Sequence, residues 1–347
     1  MVEATQCPRL EACPIFLFDI DGVLVDVRPS YHETIMRTVV LYLREVLGLP
    51  APDDLVTPEH VAVLKRVGGF NNDWHSVAAI LHTLVAELPP TSAPDDLSEP
   101  ALRAATRPLA SLPDLEERLR RGAQHLLDLE EDVHARGGAL RSVRALINGH
   151  NAHLVIHDSW RPETNPIVRI YQELYLGPDL FRHEYGMPPR YYKGPPLIDQ
   201  DQRIISPETL DDLAGRHLLG LVTGRPHLEA EYTLRRLGLW HYFRVLVGYD
   251  DVAAEMRRRG TDEYLGKPNP WPLSRAAQHL DPAGTKGVAY VGDTVDDARA
   301  AVALRAERPT YAIGCTFAYD NPDVVAARLR AAGADMIVHH PDELRHL

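Results

Sequence analysis

Cysteine is scarce in this 347-residue chain: Cys7, Cys13 and Cys315 are the only three. Widely separated thiols of this kind make neither a zinc pattern nor a disulfide framework, and they read as reduced bystanders in a cytosolic protein. Long apolar runs are missing too. No stretch approaches the roughly 18 apolar residues of a membrane span. Met1 to Pro14 is polar and mixed, without the apolar run of a signal peptide. The expectation is a cytoplasmic protein with no membrane partner. Positive charge is in deficit, with 37 Lys and Arg against 49 Asp and Glu and a formal charge of -12. That balance argues against non-specific nucleic-acid binding, which needs basic surface to displace phosphate counterions. It leaves an anionic small molecule open, because a few positive groups can be gathered in one cleft. The rest is ordinary for a globular chain, 45% hydrophobic and 25% charged, and the length suits about two domains. No internal repeat is visible.

Ile15-Phe16-Leu17-Phe18-Asp19-Ile20 is a short apolar run of the kind buried on both faces of a parallel sheet. A helix is expected from Ser30, which with Glu33 forms an S-x-x-E capping box, to about Gly48. From Thr57-Pro58-Glu59, a good helix start, the texture turns helical. Helices are expected to about Leu88, broken at Gly68-Gly69, then from about Asp114 to Ile147, broken at Gly137-Gly138, and from Glu163 to Leu176. Pro89 to Pro100 and Pro188 to Pro196 read as loops. Beyond Ser206-Pro207-Glu208 the pattern alternates. Strand-like runs at His217–Thr223, Phe243–Gly248, Gly287–Gly292, Thr310–Ile313 and Asp335–Val338 have helical segments between them. Alternation of this kind implies a parallel sheet covered by helices on both faces. One strand at the start and the rest beyond position 210 imply an α/β domain interrupted by a helical insertion.

Four short segments carry chemistry. Asp19-Ile20-Asp21-Gly22 begins at the carboxyl end of the first strand, where open α/β sheets bind ligands. Asp19 can attack phosphorus, since carboxylates act as nucleophiles in aspartyl-phosphate chemistry. Asp21 can protonate a leaving oxygen and then activate water. The plain alternative is a turn with solvated acids. In Leu221-Val222-Thr223-Gly224-Arg225-Pro226 a hydroxyl and a glycine amide at a helix start can hold an anion, or simply cap a turn. Gly266-Lys267-Pro268 offers a lysine that is either a surface charge or a point charge held against a phosphate. Tyr290-Val291-Gly292-Asp293-Thr294-Val295-Asp296-Asp297 sets up to three carboxylates at another strand end. Hard oxygen ligands suit Mg²⁺, although a helix start also favours Asp through its dipole, which accounts for at least one of Asp296 and Asp297.

In this order the four segments resemble the four motifs of the haloacid dehalogenase superfamily. The resemblance covers about residues 14–56 and 200–340. The insertion between the first two motifs resembles the branch with a helical cap there, whose members are mostly phosphatases. By that resemblance the fold is α/β: a Rossmann-like parallel sheet in order 5-4-1-2-3, with a core of 14–56 and 200–347 and an inserted, mostly α-helical cap of 57–199. The resemblance makes Asp19 the nucleophile and Asp21 the general acid/base. Thr223 and Gly224 bind the phosphoryl group, and Lys267 neutralises its charge. Mg²⁺ is held by Asp19, the Asp21 carbonyl and Asp293, with Asp297 in support. It implies a phosphatase acting on a small phosphorylated metabolite. Asp21 argues against a dehalogenase, which lacks that acid and needs no metal. The alternatives are a phosphomutase with the same motifs, or a non-catalytic phospho-ligand-binding protein.

In the insertion, Lys65, Arg66, Asn71 and Asn72 surround a glycine pair in a loop that can present polar groups to a substrate, or serve as a helix–helix turn. His150, His153, His157 and Asp158 cluster, but H-x-x-H-x-x-x-H matches no metal motif with a mechanism behind it, and 17 histidines make clusters expected. A structural role is favoured for them. The length of the insertion leaves room for a homodimer interface or a more enclosing lid.

Overall fold

The structure, a computed structural model, describes residues 10, 13–70, 72–147, 149–156, 159 and 161–347. The chain divides into two compact units, one of residues up to Arg28 together with Asp201–Leu347, the other Pro29–Gln200.

The α/β unit contains strands β1 (Ile15–Phe18), β2 (Val25–Asp26), β3 (Gln202–Arg203), β4 (Leu218–Val222), β5 (Leu246–Val247), β6 (Val288–Gly292), β7 (Thr310–Cys315) and β8 (Met336–Val338). β2 and β3 form a small antiparallel ribbon. The other six make one parallel sheet in the order β5-β4-β1-β6-β7-β8. Read from the opposite edge this is the expected 5-4-1-2-3 arrangement, with β8 added beyond β7. Side chains alternate across β1: Phe16 and Phe18 join one buried cluster and Ile15 and Leu17 another. Helices Pro207–Arg216 and His227–Arg236 supply Leu210, Leu213, Ala230 and Leu234 to the first cluster. Helices Trp271–Leu280 and Val295–Leu304 supply Leu273, Ala276, Ala277, Ala300, Ala301 and Leu304 to the second. Both faces are therefore dry, which is why the strands read as continuous apolar runs rather than alternating ones.

This topology places the site. Phe18 is in register with Leu221 of β4 on one side and Val291 of β6 on the other. The carboxyl ends of three adjacent strands thus stop at one level, followed by Asp19, Thr223 and Asp293. The strand order reverses at β1, and that reversal opens a crevice where α/β sheets hold ligands.

The helical unit is built around helix Asp73–Ala86, buried along nearly its whole length from Ser76 to Val85. A helix apolar on all sides must be surrounded, and it packs against helices Glu33–Leu41, Leu115–Asp128, Ala139–Leu146 and Pro166–Tyr185. Gly122 sets the closest approach: a Cβ there would stand 2.6 Å from the Thr83 carbonyl oxygen. Tyr42, fully buried, donates its hydroxyl to Leu154 O at 2.8 Å and accepts from Ile156 N at 3.0 Å.

Several local expectations need correction. Residues 29–56 cluster with the insertion rather than with the α/β core. The apolar face of Glu33–Leu41 packs on helices Asp73–Ala86 and Pro166–Tyr185 of its own unit. Ser30 is no N-cap, because the helical segment already begins at Arg28, and Ser30 lies buried inside it with its carbonyl accepting from Thr34 Oγ1 at 2.7 Å. The loop expected to Pro100 ends earlier, where Ser98 caps a helix over Glu99–Thr106. The last long helix runs to Tyr185 rather than Leu176, kinked at Gly177 (φ 66°) ahead of Pro178.

Candidate active site

Just past β1 the chain turns tightly, with Leu24 N and Val25 N both donating to Ile20 O at 2.8 and 2.9 Å. Gly22 sits in this turn at φ +72°, and a Cβ on it would come within 2.3 Å of Asp293 Oδ2. Only glycine gives both the left-handed backbone and the room for that carboxylate. Asp19 is buried, and Ile20 N donates to its Oδ1 at 2.8 Å. Its other oxygen, Oδ2, faces Lys267 Nζ at 2.8 Å.

Lys267 ties the site together. Its ammonium lies 2.6 Å from Asp297 Oδ1 and donates to the Tyr290 hydroxyl at 3.1 Å. It comes from the loop that follows Gly266, ahead of a cis Lys267–Pro268 bond. Asp297 is almost fully spoken for. Tyr290 donates its hydroxyl to Oδ1 at 2.7 Å, and the backbone and hydroxyl of Thr294 donate to Oδ2 at 2.9 and 2.6 Å. Asp293 accepts from the Tyr319 hydroxyl at 3.2 Å. Asp296 turns outward toward Arg299 at 3.8 Å, as the helix-start reading allows for one of the pair.

The electrostatics follow from burial. Desolvation pushes the Asp19 carboxyl up to about 7 despite Lys267, which pulls the other way. Burial, joined by Asp297 and Asp19, raises Asp293 well above the usual carboxylate range. Burial also pushes Asp297 up, but Lys267, Thr294 and Tyr290 outweigh it and hold the group below its ordinary value. One lysine thus leaves the three carboxylates short of positive charge. Oxygen atoms of Asp19, Asp293 and Asp297 all lie within 4.8 Å of one another. Since the oxygens of Asp297 already hold four donors, Asp19 and Asp293 are the better ligands. A small divalent cation fits this hard-oxygen donor set and would offset the desolvation and mutual repulsion that raise both groups.

Asp21 stands beside them, its Oδ1 accepting from Arg225 Nε at 2.7 Å. Thr223, at the end of β4, donates its amide to Val247 O at 3.1 Å and accepts from Arg225 N through Oγ1 at 3.2 Å. Gly224 is exposed with open space around it. The seven core residues singled out in the sequence therefore lie in one unit at one end of its sheet. Tyr290, Thr294, Tyr319 and Arg225 join them. The first, second and last of these stand in the quoted segments, whereas Tyr319 had no signal beyond a turn after a strand.

The polar residues singled out in the insertion are engaged within their own unit. Lys65 pairs with Asp73 at 2.8 Å and donates to Phe70 O at 3.1 Å, and Arg66 pairs with Glu59 and Glu130 at 2.8 and 2.7 Å. Asn72 caps helix Asp73–Ala86, accepting from Trp74 N at 2.9 Å. Asn71 lies outside the described residues, as do His157 and Asp158. His150 Nε2 meets Leu88 O at 2.9 Å and His153 Nε2 meets Thr91 Oγ1 at 3.0 Å, so the two rings pin the loop that follows helix Asp73–Ala86.

The strand order and the strand-end acids define a haloacid dehalogenase-like fold, and comparison with known proteins agrees. Residues 197–305 match the family model described as haloacid dehalogenase-like hydrolase. A phosphoglycolate phosphatase of Salmonella typhi is 29% identical over 133 residues, which cover 37% of this chain and 46% of that protein. The match thus spans just under half the length of that relative. Among solved structures, a structural-genomics target determined by X-ray crystallography is similar with a TM-score of 0.67 at 21% identity, covering 96% of this chain and 97% of its own. A phosphatase from Thermococcus thioreducens has a TM-score of 0.53 at 21% identity, covering 91% of this chain and 99% of its own. Over residues 197–305 the chain is thus similar to haloacid dehalogenase-like hydrolases. No helix among the described residues is long and apolar enough to cross a membrane.

Proposed function

We propose that the protein is a Mg²⁺-dependent phosphatase that hydrolyses a small phosphorylated metabolite through an aspartyl-phosphate on Asp19. The observation that carries this reading is Lys267, lodged between Asp19 Oδ2 at 2.8 Å and Asp297 Oδ1 at 2.6 Å with Asp293 alongside. A carboxylate held by a lysine at a strand end, beside a cation-hungry pair, is what an anionic nucleophile needs to meet an anionic phosphate. Asp19 and Asp293 would hold Mg²⁺ together with the Asp21 carbonyl, and Asp297 would act by fixing Lys267. A bound magnesium ion supplies positive charge against the phosphoryl oxygens and the nucleophile.

Asp19 attacks phosphorus through one carboxylate oxygen, and the bond from phosphorus to the ester oxygen breaks. Asp21 gives its proton to that oxygen as it leaves. Asp21 then takes a proton from water, the water oxygen adds to phosphorus, and the P–O bond to Asp19 breaks to release phosphate. The Thr223 hydroxyl and the Gly224 amide bind phosphoryl oxygens, and Lys267 balances their charge. Most of the acceleration comes from positioning and charge, both supplied by groups fixed before substrate arrives. The 29–200 unit acts as the cap that selects the substrate. The partial likeness to a phosphoglycolate phosphatase puts small phosphorylated acids first among candidates. The reading is tested by phosphate release from a panel of phosphorylated metabolites with and without Mg²⁺.

A further inference from the structure

Arg225 has no part in the mechanism above, yet it is one of the most completely buried charges in the α/β unit, its side chain 1% exposed. Its guanidinium meets three partners. Nε donates to Asp21 Oδ1 at 2.7 Å, Nη1 to Thr233 Oγ1 at 3.0 Å and Nη2 to Asp201 Oδ2 at 3.0 Å, with Nη2 also 2.7 Å from Asp21 Oδ1. Thr233 Oγ1 donates in turn to the same Asp201 oxygen at 3.0 Å. The Asp201 side chain is wholly buried, and its backbone carbonyl accepts from Arg236 Nη2 at 2.5 Å. Asp201 and Thr233 are thus built into the fold, whereas Asp21, 30% exposed, stands at the open end of the same guanidinium.

A buried arginine needs one carboxylate to balance its charge, and Asp201 supplies it. Adding a second, partly exposed carboxylate contributes little to stability, because surface-facing ion pairs are weak. What it does contribute is orientation: the planar fork offers donors in fixed directions, so anchoring it on Asp201 and Thr233 fixes the Nε–Nη2 edge that meets Asp21. We infer that Arg225, anchored on Asp201 and Thr233, is a positioning residue that holds the Asp21 carboxylate by Oδ1 in the orientation from which it protonates the leaving oxygen. The inference rests on the reading of Asp21 as the general acid/base. The hydroxyl of Thr233 and the position of Asp201, the residue at which the chain re-enters the α/β unit, are then parts of the acid's support.

Leaving-group dependence tests this, since an aryl phosphate with a good leaving group needs no acid to depart and an alkyl phosphate does. kcat/KM is compared for 4-nitrophenyl phosphate and an alkyl phosphate in wild type, Asp21→Asn, Arg225→Lys and Asp201→Asn, with thermal melts to establish folding. Lysine keeps the charge at 225 but cannot reach three partners, and Asp201→Asn keeps the shape while weakening the anchor should Arg225→Lys fold poorly. General acid catalysis is typically worth about 100-fold or more. Asp21→Asn should therefore lose about that factor more on the alkyl than on the aryl ester. Arg225→Lys and Asp201→Asn should each show the same split at about ten-fold, and Arg225→Lys should add nothing further in the Asp21→Asn background. Equal losses on both esters in folded Arg225→Lys and Asp201→Asn, with the split present in Asp21→Asn, overturn the positioning role alone. A wild type inactive on both esters, or no split in Asp21→Asn, overturns the reading of Asp21 and the inference with it.

Discussion

Lys267 satisfies two buried carboxylates at once, with 14% of its side chain exposed. Removing one partner of a buried ion pair typically costs about 3–5 kcal/mol, because the charge left behind has neither water nor a counter-ion. Lys267→Met should therefore lower the unfolding free energy of metal-free protein by about 3 kcal/mol in a denaturant titration. A change below about 1 kcal/mol would mean that Asp19 and Asp297 do not depend on the lysine in this way. At this scale most of the candidate site was legible. Asp19, Asp21, Thr223, Asp293 and Asp297 stand just after apolar runs or at helix starts and Lys267 between Gly266 and Pro268 in a loop, and local pattern reveals such places. Tyr319 was not legible, because its tie to Asp293 joins residues 26 positions apart in sequence. Arg225 could be seen in its segment, but its partners Asp201 and Thr233 could not.

Among the elements, helix Asp73–Ala86 is the core of the helical unit and its start depends on Asn72. Losing an N-cap costs about 1 kcal/mol. Asn72→Ala should lower stability by about that much while changing KM equally for a metabolite and for an aryl phosphate. A larger rise for the metabolite would instead support a substrate-binding role for Asn72. Tyr42 links its helix to the 154–156 turn through one hydroxyl that serves a buried carbonyl and an amide. Tyr42→Phe should cost about 1–3 kcal/mol, the usual penalty for buried polar groups left without partners, and melts with and without the substitution would measure it. Elements were easier to place than their allegiance. The strands beyond position 210 were visible as apolar runs, and their helices as the segments between. The amphipathic helix Glu33–Leu41 shows an apolar face in the sequence, but nothing local says which unit that face meets. For the same reason Ser30 mimicked a cap: the S-x-x-E spacing is the same whether the helix starts there or two residues earlier.

For the molecule as a whole, the clustered acids make a prediction about pH and metal. Asp19 has an ordinary value of 3.8 and is raised to about 7 in the folded metal-free protein. Between those values the folded state holds a proton that the unfolded state has lost. Stability from this group is therefore full below about pH 4 and falls as pH rises through about 7. Asp19→Asn carries no charge at any pH, so metal-free Asp19→Asn should exceed wild type in stability by a margin that widens from about pH 5 to about pH 8. Mg²⁺ should raise the wild-type melting temperature in the upper part of that range and narrow the margin. A margin that does not vary with pH, and a melt indifferent to Mg²⁺, would contradict the charge deficit assigned to the site. The fold was readable at this scale because the α/β alternation extends over the whole of the second half of the chain. The substrate was not, because no local pattern in residues 29–200 points to one ligand, and the polar residues singled out there that the structure describes are engaged within their own unit.

The proposed function makes Asp19 a magnesium-dependent nucleophile toward phosphate esters. It is tested most directly by phosphate release from a panel of small phosphorylated acids, sugars and alcohols, for wild type and Asp19→Asn, with Mg²⁺ and with the metal chelated. Wild type with Mg²⁺ should turn over at least one compound, and no release above background should remain when either Asp19 or the metal is removed. Turnover that survives Asp19→Asn, or proceeds undiminished in chelator, would contradict it.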